Sequence, residues 1–274
     1  MRNGCSVGIK RLIFCEESSD YFVTLQHDCN AKERQKPSKC WEGGVAIEEE
    51  EMNIRLIIFD FDGTLGDTRR TIVTTMQMTI ACLGLPSRSD AECVSTIGLP
   101  LYGCFETLYP DTDKGTIRQC TDTYRRLFQE NLQTVRPQSF PKVTETLSAL
   151  KQKGFALAIA SSRNHASLVE LTADLGISEL ISCLTGADDV EKAKPDPEPV
   201  LSVLSALGYG ASETLVVGDM NVDILMGARA GARTCGVTYG NGTRRELEEA
   251  GADYIIDSID ELIGIAERPF FHTI

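Results

Sequence analysis

From Met52 onward the chain alternates two kinds of segment. Apolar runs at 54–59, 155–160, 214–217 and 233–238, with a weaker one at 253–256, read as strands. Between them, HASLVELTADLG (165–176) and EPVLSVLSALG (198–208) carry apolar residues at three- and four-residue spacing and read as helices, stopped by Gly176 and Gly208. Strands alternating with such helices predict βαβ units and an α/β fold, a doubly wound parallel sheet covered on both faces.

One long segment breaks the alternation. Between the first and second strands, about 70–150, the sequence reads as helices with no clear strand: TIVTTMQMTIACLG, GLPLYGCFETLYP and KGTIRQCTDTYRRLFQENL. An insertion of that size predicts a small helical cap over the carboxyl ends of the strands, where ligands of open α/β sheets bind. The expected division is an α/β core of 52–67 and 140–274 with a cap of 68–139. Residues 1–51 sustain neither period. They are expected to be disordered or foreign to the native chain, translation then starting at Met52 after the acidic run Glu48 to Glu51. GCSVG at 4–8 matches a nucleophile-elbow pattern, but the preceding MRN offers no strand to carry it.

Composition narrows the function classes. A formal net charge of −13 argues against a general nucleic-acid binder, since phosphate-backbone affinity comes from clustered Lys and Arg. A small phosphorylated partner needs only a few local donors. Ten cysteines at irregular spacing, without a Cys-x-x-Cys pair, fit reduced thiols better than a disulfide or zinc framework. No stretch approaches the roughly 18 apolar residues of a membrane span, and no signal-peptide core is evident. The expectation is a soluble cytoplasmic protein without membrane contact, monomer or dimer.

Four stretches end a strand, or follow one, with polar groups: DFDGT (60–64), ASSRN (160–164), KAKPDPE (192–198) and GDMNVD (218–223). Alternation along the first strand would put Asp60 and Asp62 on one side and Phe59 and Phe61 on the other. In a parallel sheet all four stretches converge at one edge. Pro195 disfavours helix at Lys194 and holds the chain extended there, whereas Lys192 reads as a solvated charge.

This set, in this order, resembles the haloacid dehalogenase superfamily of phosphatases and phosphomutases over essentially all of 53–260. The resemblance implies a Rossmann-like core with a helical cap, and Mg²⁺ as cofactor at Asp60, Asp62, Asp219 and Asp223. It implies Asp60 as the nucleophile that forms an aspartyl-phosphate. Asp62 would protonate the leaving oxygen and then deprotonate water, while its backbone carbonyl binds the metal. Asp219 would ligate directly, and Asp223 directly, through water, or by orienting Lys194. Ser161 would hydrogen-bond the transferring phosphoryl group with Ser162 supporting it through its backbone, Lys194 would balance charge, and Thr64 would support the turn or the phosphate. Simpler readings hold elsewhere. His165 is an exposed helix-start residue, GARAGA (227–232) a close-packing stretch, and Thr243 with Glu246 a helix-capping pair. Arg69 and Arg70 reach a substrate anion or are solvated.

Within the family, Asp62 argues against the dehalogenating and phosphonate-cleaving branches. Mutase-type members place a His where this chain has Ile72 and an Arg where it has GLPLYG. IGLPL at 97–101, followed by an aromatic residue, resembles phosphoglycolate phosphatases and similar pyrophosphatases. Pro141-Lys142-Val143 stands where relatives commonly have Pro-Gly-Val, with a local effect expected at the cap hinge. The expected function is a Mg²⁺-dependent phosphatase of small phosphorylated metabolites, phosphoglycolate first. The alternatives are a phosphomutase, a pyrophosphatase or a non-catalytic binding protein.

Overall fold

The computed structural model describes residues 50–268 and short strand fragments at 41–42, 45–46 and 270–272. Apart from these fragments, the expectations for 1–51 and the GCSVG motif lie outside the described residues. Trp41–Glu42 pairs with Val45–Ala46, and Glu50–Met52 pairs antiparallel with Phe270–His272.

The central sheet has six strands, all parallel. In chain order they are β1 (Leu56–Phe59), β4 (Ala156–Ala160), β5 (Cys183–Thr185), β6 (Thr214–Gly218), β7 (Arg233–Val237) and β8 (Tyr254–Ile256). Their order across the sheet is β8-β7-β6-β1-β4-β5. The chain runs outward from β1 to β5, then returns to β6 on the other side of β1. This reversal leaves a crevice at the carboxyl ends of β1 and β6.

Side-chain alternation explains why β1 is apolar throughout. Leu56 and Ile58 face a layer with Val200 and Val203 of α7 (Glu198–Leu207) and Met226 of α8 (Asn221–Arg229). Ile57 and Phe59 face the opposite layer, with Leu147 of α5 (Val143–Gln152), Leu168 of α6 (His165–Asp174) and Leu262 of α10 (Glu261–Ala266). Both faces are buried, so polar groups are confined to strand ends. Gly227 in the GARAGA stretch packs as expected, since a Cβ there would lie 2.8 Å from Val216 and Thr234 side-chain atoms. Thr243 and Glu246 form the capping box of α9 (Arg244–Glu249).

Three strands went unread in the sequence. Strand β5 lies at a sheet edge and is only partly buried, so SCLT shows no sustained apolar run. Gly66–Asp67 (β2) and Gln138–Ser139 (β3) pair antiparallel, a two-residue ladder too short to leave a period. They flank four helices: α1 (Arg69–Cys82), α2 (Asp90–Val94), α3 (Leu101–Leu108) and α4 (Lys114–Asn131). Tyr124 packs edge-on to Phe105 and stacks on Phe128, and Asn131 Nδ2 donates to buried Thr75 Oγ1 at 2.9 Å, fastening α4 to α1.

Lys142 has a φ of +65° and is the one non-glycine residue with positive φ among the described residues. A Cβ in that region crowds the following carbonyl, at a cost of roughly 1 kcal/mol. The exposed Lys142–Asp260 ion pair, at 2.7 Å, offsets little of it. Lys142→Gly is therefore expected to raise the thermal unfolding midpoint, and a lowered midpoint would show that the ion pair outweighs the strain.

Candidate active site

The crevice at the sheet reversal gathers side chains from four loops. Asp60 directly follows β1, its N–H donating to Val217 O at 2.8 Å, and Asp219 directly follows β6. Asp223 lies in the first turn of α8, where its Oδ2 accepts the Met220 N–H at 3.0 Å. Lys194 comes from the loop between β5 and α7, joined to Pro195 by a cis peptide bond. Its Nζ donates to Asp60 Oδ1 at 2.5 Å and to Asp223 Oδ1 at 2.7 Å, and all three side chains are buried. Lys192 is solvated, its side chain 70% exposed.

Beyond β1 the chain turns instead of continuing as a strand. Leu65 and Gly66 N–H groups both donate to Phe61 O, and Phe61 is wholly buried. Asp60 and Asp62 line one cavity while Phe59 and Phe61 share the core layer on the other side, the distribution expected, although the strand itself ends at Phe59. The turn presses on Asp219. Gly63 has a φ of +93°, and a Cβ there would collide with the Asp219 carboxylate and the Asn241 amide. Only glycine serves at such a position. Thr64 is fully buried, its hydroxyl donating to Asp219 Oδ1 at 3.3 Å, and it is absent from the cavity lining.

Three residues with contacts here were not singled out in the sequence. Asn241 donates its backbone N–H to Asp219 Oδ2 at 2.6 Å and its amide to Asp62 O at 3.4 Å. Thr68 donates its hydroxyl to Asp62 Oδ1 at 2.5 Å. Arg163 Nε lies 2.7 Å from Asp62 Oδ2 and 2.9 Å from Oδ1, while its guanidinium sits 4.8 Å from the Phe128 ring centroid. Burial pulls the Arg163 pKa down, but the adjacent Asp62 outweighs it and holds the guanidinium above its ordinary value. Arg69 is exposed, the solvated alternative of the two expected, and its Nε donates to Asn241 Oδ1 and its Nη2 to Gly240 O, both at 2.9 Å. His165 is exposed at the start of α6, paired with Asp189 at 2.7 Å.

One carboxylate oxygen from each of Asp60, Asp219 and Asp223 lies within 4.8 Å of the others. Three buried carboxylates share a single ammonium, leaving negative charge uncompensated. Burial raises the Asp60 carboxyl from 3.8 to about 7; Lys194 opposes this, while Asp223 and Asp62 push it further up. Asp219 is raised too, by burial and then by Asp60 and Asp223. For Lys194, burial pulls downward, but Asp223 and Asp60 prevail and keep it above its ordinary value. An all-oxygen cluster with surplus negative charge fits a hard divalent cation.

Ser161 follows β4, its N–H donating to Thr185 O at 3.0 Å and its Oγ accepting from the Arg163 N–H at 3.3 Å. Ser162 also lines the cavity, its hydroxyl donating to Gly98 O in the helical insertion at 2.6 Å. Asp60, Asp62, Ser161 and Arg163 form the floor of a cavity of about 410 Å³ whose other wall comes from α1, α3, α4 and the 97–101 loop.

A family model for haloacid dehalogenase-like hydrolases matches residues 57–237, well over half of the chain. The chain belongs to this family. A Dickeya dadantii (strain 3937) protein named "Probable phosphatase IndB" is 36% identical over 216 residues, covering 77% of this haloacid dehalogenase-like chain and 93% of that protein. A pyrophosphatase PpaX of Halalkalibacterium halodurans is 33% identical over 218 residues, covering 78% and 97%. The fold is matched by the crystal structure of a predicted phosphoglycolate phosphatase from Haemophilus somnus 129PT, with a TM-score of 0.73 and 24% identity, covering 78% and 98%. The doubly wound haloacid dehalogenase-type core expected from the sequence is the fold observed. Among the described residues, no helix is long and apolar enough to cross a membrane.

The buried carboxyls set a pH-dependent stability. Asp60, raised from 3.8 to about 7, holds its proton more tightly in the folded state, so stability is lost as pH rises through that window. A cation competes with that proton. Adding Mg²⁺ is expected to raise the unfolding midpoint, by an increment that grows as pH rises toward and past neutrality. Asp219→Asn should shrink the increment; an increment unchanged by pH and by this substitution would place the ion elsewhere.

Proposed function

We propose that this chain is a Mg²⁺-dependent phosphatase that hydrolyses small phosphorylated metabolites through an aspartyl-phosphate on Asp60. The observation that carries the reading is the Asp60 carboxylate, held 2.5 Å from Lys194 Nζ in one buried cluster with Asp219 and Asp223, on a cavity it shares with Ser161. Membership of a hydrolase family and a relative named as a phosphatase support it.

A phosphate monoester is anionic and repels a carboxylate nucleophile. Mg²⁺ at Asp60, Asp219 and Asp223, with the Asp62 backbone carbonyl, would neutralise that repulsion. Asn241 and Thr64 orient Asp219, and Asp223 fixes the Lys194 ammonium beside Asp60. An Asp60 oxygen attacks phosphorus, the ester P–O bond breaks, and Asp62 gives its proton to the leaving oxygen. Asp62 then takes a proton from water, which attacks phosphorus and breaks the bond to Asp60, releasing phosphate. Ser161 hydrogen-bonds the phosphoryl oxygens. A pyrophosphatase would use the same nucleophile, and the name of one relative favours that second reading.

Asp60→Asn keeps an oxygen acceptor for Lys194 and removes the nucleophile. Phosphate release from a metabolite-phosphate panel should be abolished by EDTA and fall at least about a thousandfold in Asp60→Asn, with circular dichroism unchanged. Full turnover by Asp60→Asn would end the mechanism. Anhydride cleavage without ester cleavage would favour the pyrophosphatase reading.

A further inference from the structure

On the phosphatase reading, we infer that the group released from phosphate is an uncharged alcohol with an apolar or aromatic body. The phosphoryl corner of the cavity is polar, but the wall opposite is not. Ile72, Ile97, Leu99, Leu101, Tyr124 and Phe128 line it, and Tyr124 and Phe128 stack with centroids 5.7 Å apart and planes at 22°. That wall matches an apolar or aromatic body in shape and polarity.

Charge excludes the smaller anions. Among the described residues lining the cavity, two arginines face four carboxylates: Arg125 and Arg163 against Asp60, Asp62, Glu170 and Asp188. Arg163 is committed, bonded to both oxygens of Asp62 and resting on Phe128. Arg125 lies at the solvent edge, its side chain 59% exposed and 3.4 Å from Asp122. Glu170 accepts from Gln129 Nε2 at 2.8 Å, which leaves its negative charge in place. A carboxylate or second phosphate on the leaving group would thus exchange water for an apolar wall and meet no cation but Arg125 at the solvent edge, where water screens the attraction. Phosphoglycolate and pyrophosphate both carry such a charge.

The test uses the full chain with Mg²⁺ and three substrates: benzyl phosphate, phosphoglycolate and pyrophosphate. Benzyl phosphate and phosphoglycolate both release a primary alcohol, so their difference reports the body of the leaving group. Benzyl phosphate is expected to exceed phosphoglycolate in kcat/KM by about a hundredfold or more. Leu101 is partly exposed at the start of α3, so Leu101→Lys should fold and place an ammonium on the wall, narrowing that ratio at least about tenfold, chiefly through KM. Calorimetric binding to Asp60→Asn should give the same order of preference without chemistry. Turnover of phosphoglycolate or pyrophosphate equal to or above that of benzyl phosphate overturns the inference and leaves the phosphatase reading intact. Failure to release phosphate from these or any ester of a broad panel overturns the phosphatase reading, and this inference with it.

Discussion

The structure depends on how one ammonium is shared among buried carboxylates. Lys194 bridges Asp60 and Asp223, and thereby ties together β1, α8 and the loop before α7, segments 134 and 29 residues apart in sequence. A buried ion pair of this kind contributes little net stability, because desolvation cancels much of the attraction. It is sustained by the rest of the fold. With both sheet faces apolar, the strand ends are where polar groups can collect, and parallel strands bring those ends to one edge. The reversal of strand order between β1 and β6 then opens a crevice wide enough for side chains from four loops.

That logic also sets what could be read from the sequence. Five of the six central strands, most of the helices and the gathering of Asp60, Ser161, Lys194 and Asp219 at one edge were legible, because each site residue directly ends an apolar run or sits beside a proline. Arg163 was not. It lies two residues past Ser161, but only coordinates bring it to Asp62, 101 positions away. Asn241 was missed for a related reason: it follows β7 by four residues, and a loop carries no period that says which way it returns. Thr64 was read as supporting either the turn or the phosphate, and it was the fold of the loop at Gly63 that sent its hydroxyl to Asp219. Each miss concerns a contact between loops. Periodicity reports an element's own faces and is silent on those.

The inserted helices and the core meet through a few directed contacts. Ser162 donates to Gly98 O, Gln129 to Glu170, and Arg163 rests against Phe128. The β2–β3 ladder holds the two connecting strands side by side at the base of the insertion. Lys142 lies just beyond β3 in a backbone conformation suited to glycine, so strain is stored close to that ladder.

Ser161, Ser162 and Arg163, three consecutive residues after β4, meet three different neighbours: Ser161 lines the cavity floor, Ser162 donates to Gly98 O of the insertion, and Arg163 pairs with the Asp62 carboxylate. One short loop therefore fastens the insertion and holds Asp62, with no longer pathway required to couple the two. The charged groups stay in the core, where the parallel strands fix them. The apolar wall belongs to the insertion, whose side chains can vary without disturbing the buried ammonium and carboxylates, so the polar floor and the apolar wall of the cavity are encoded on separate pieces of one chain.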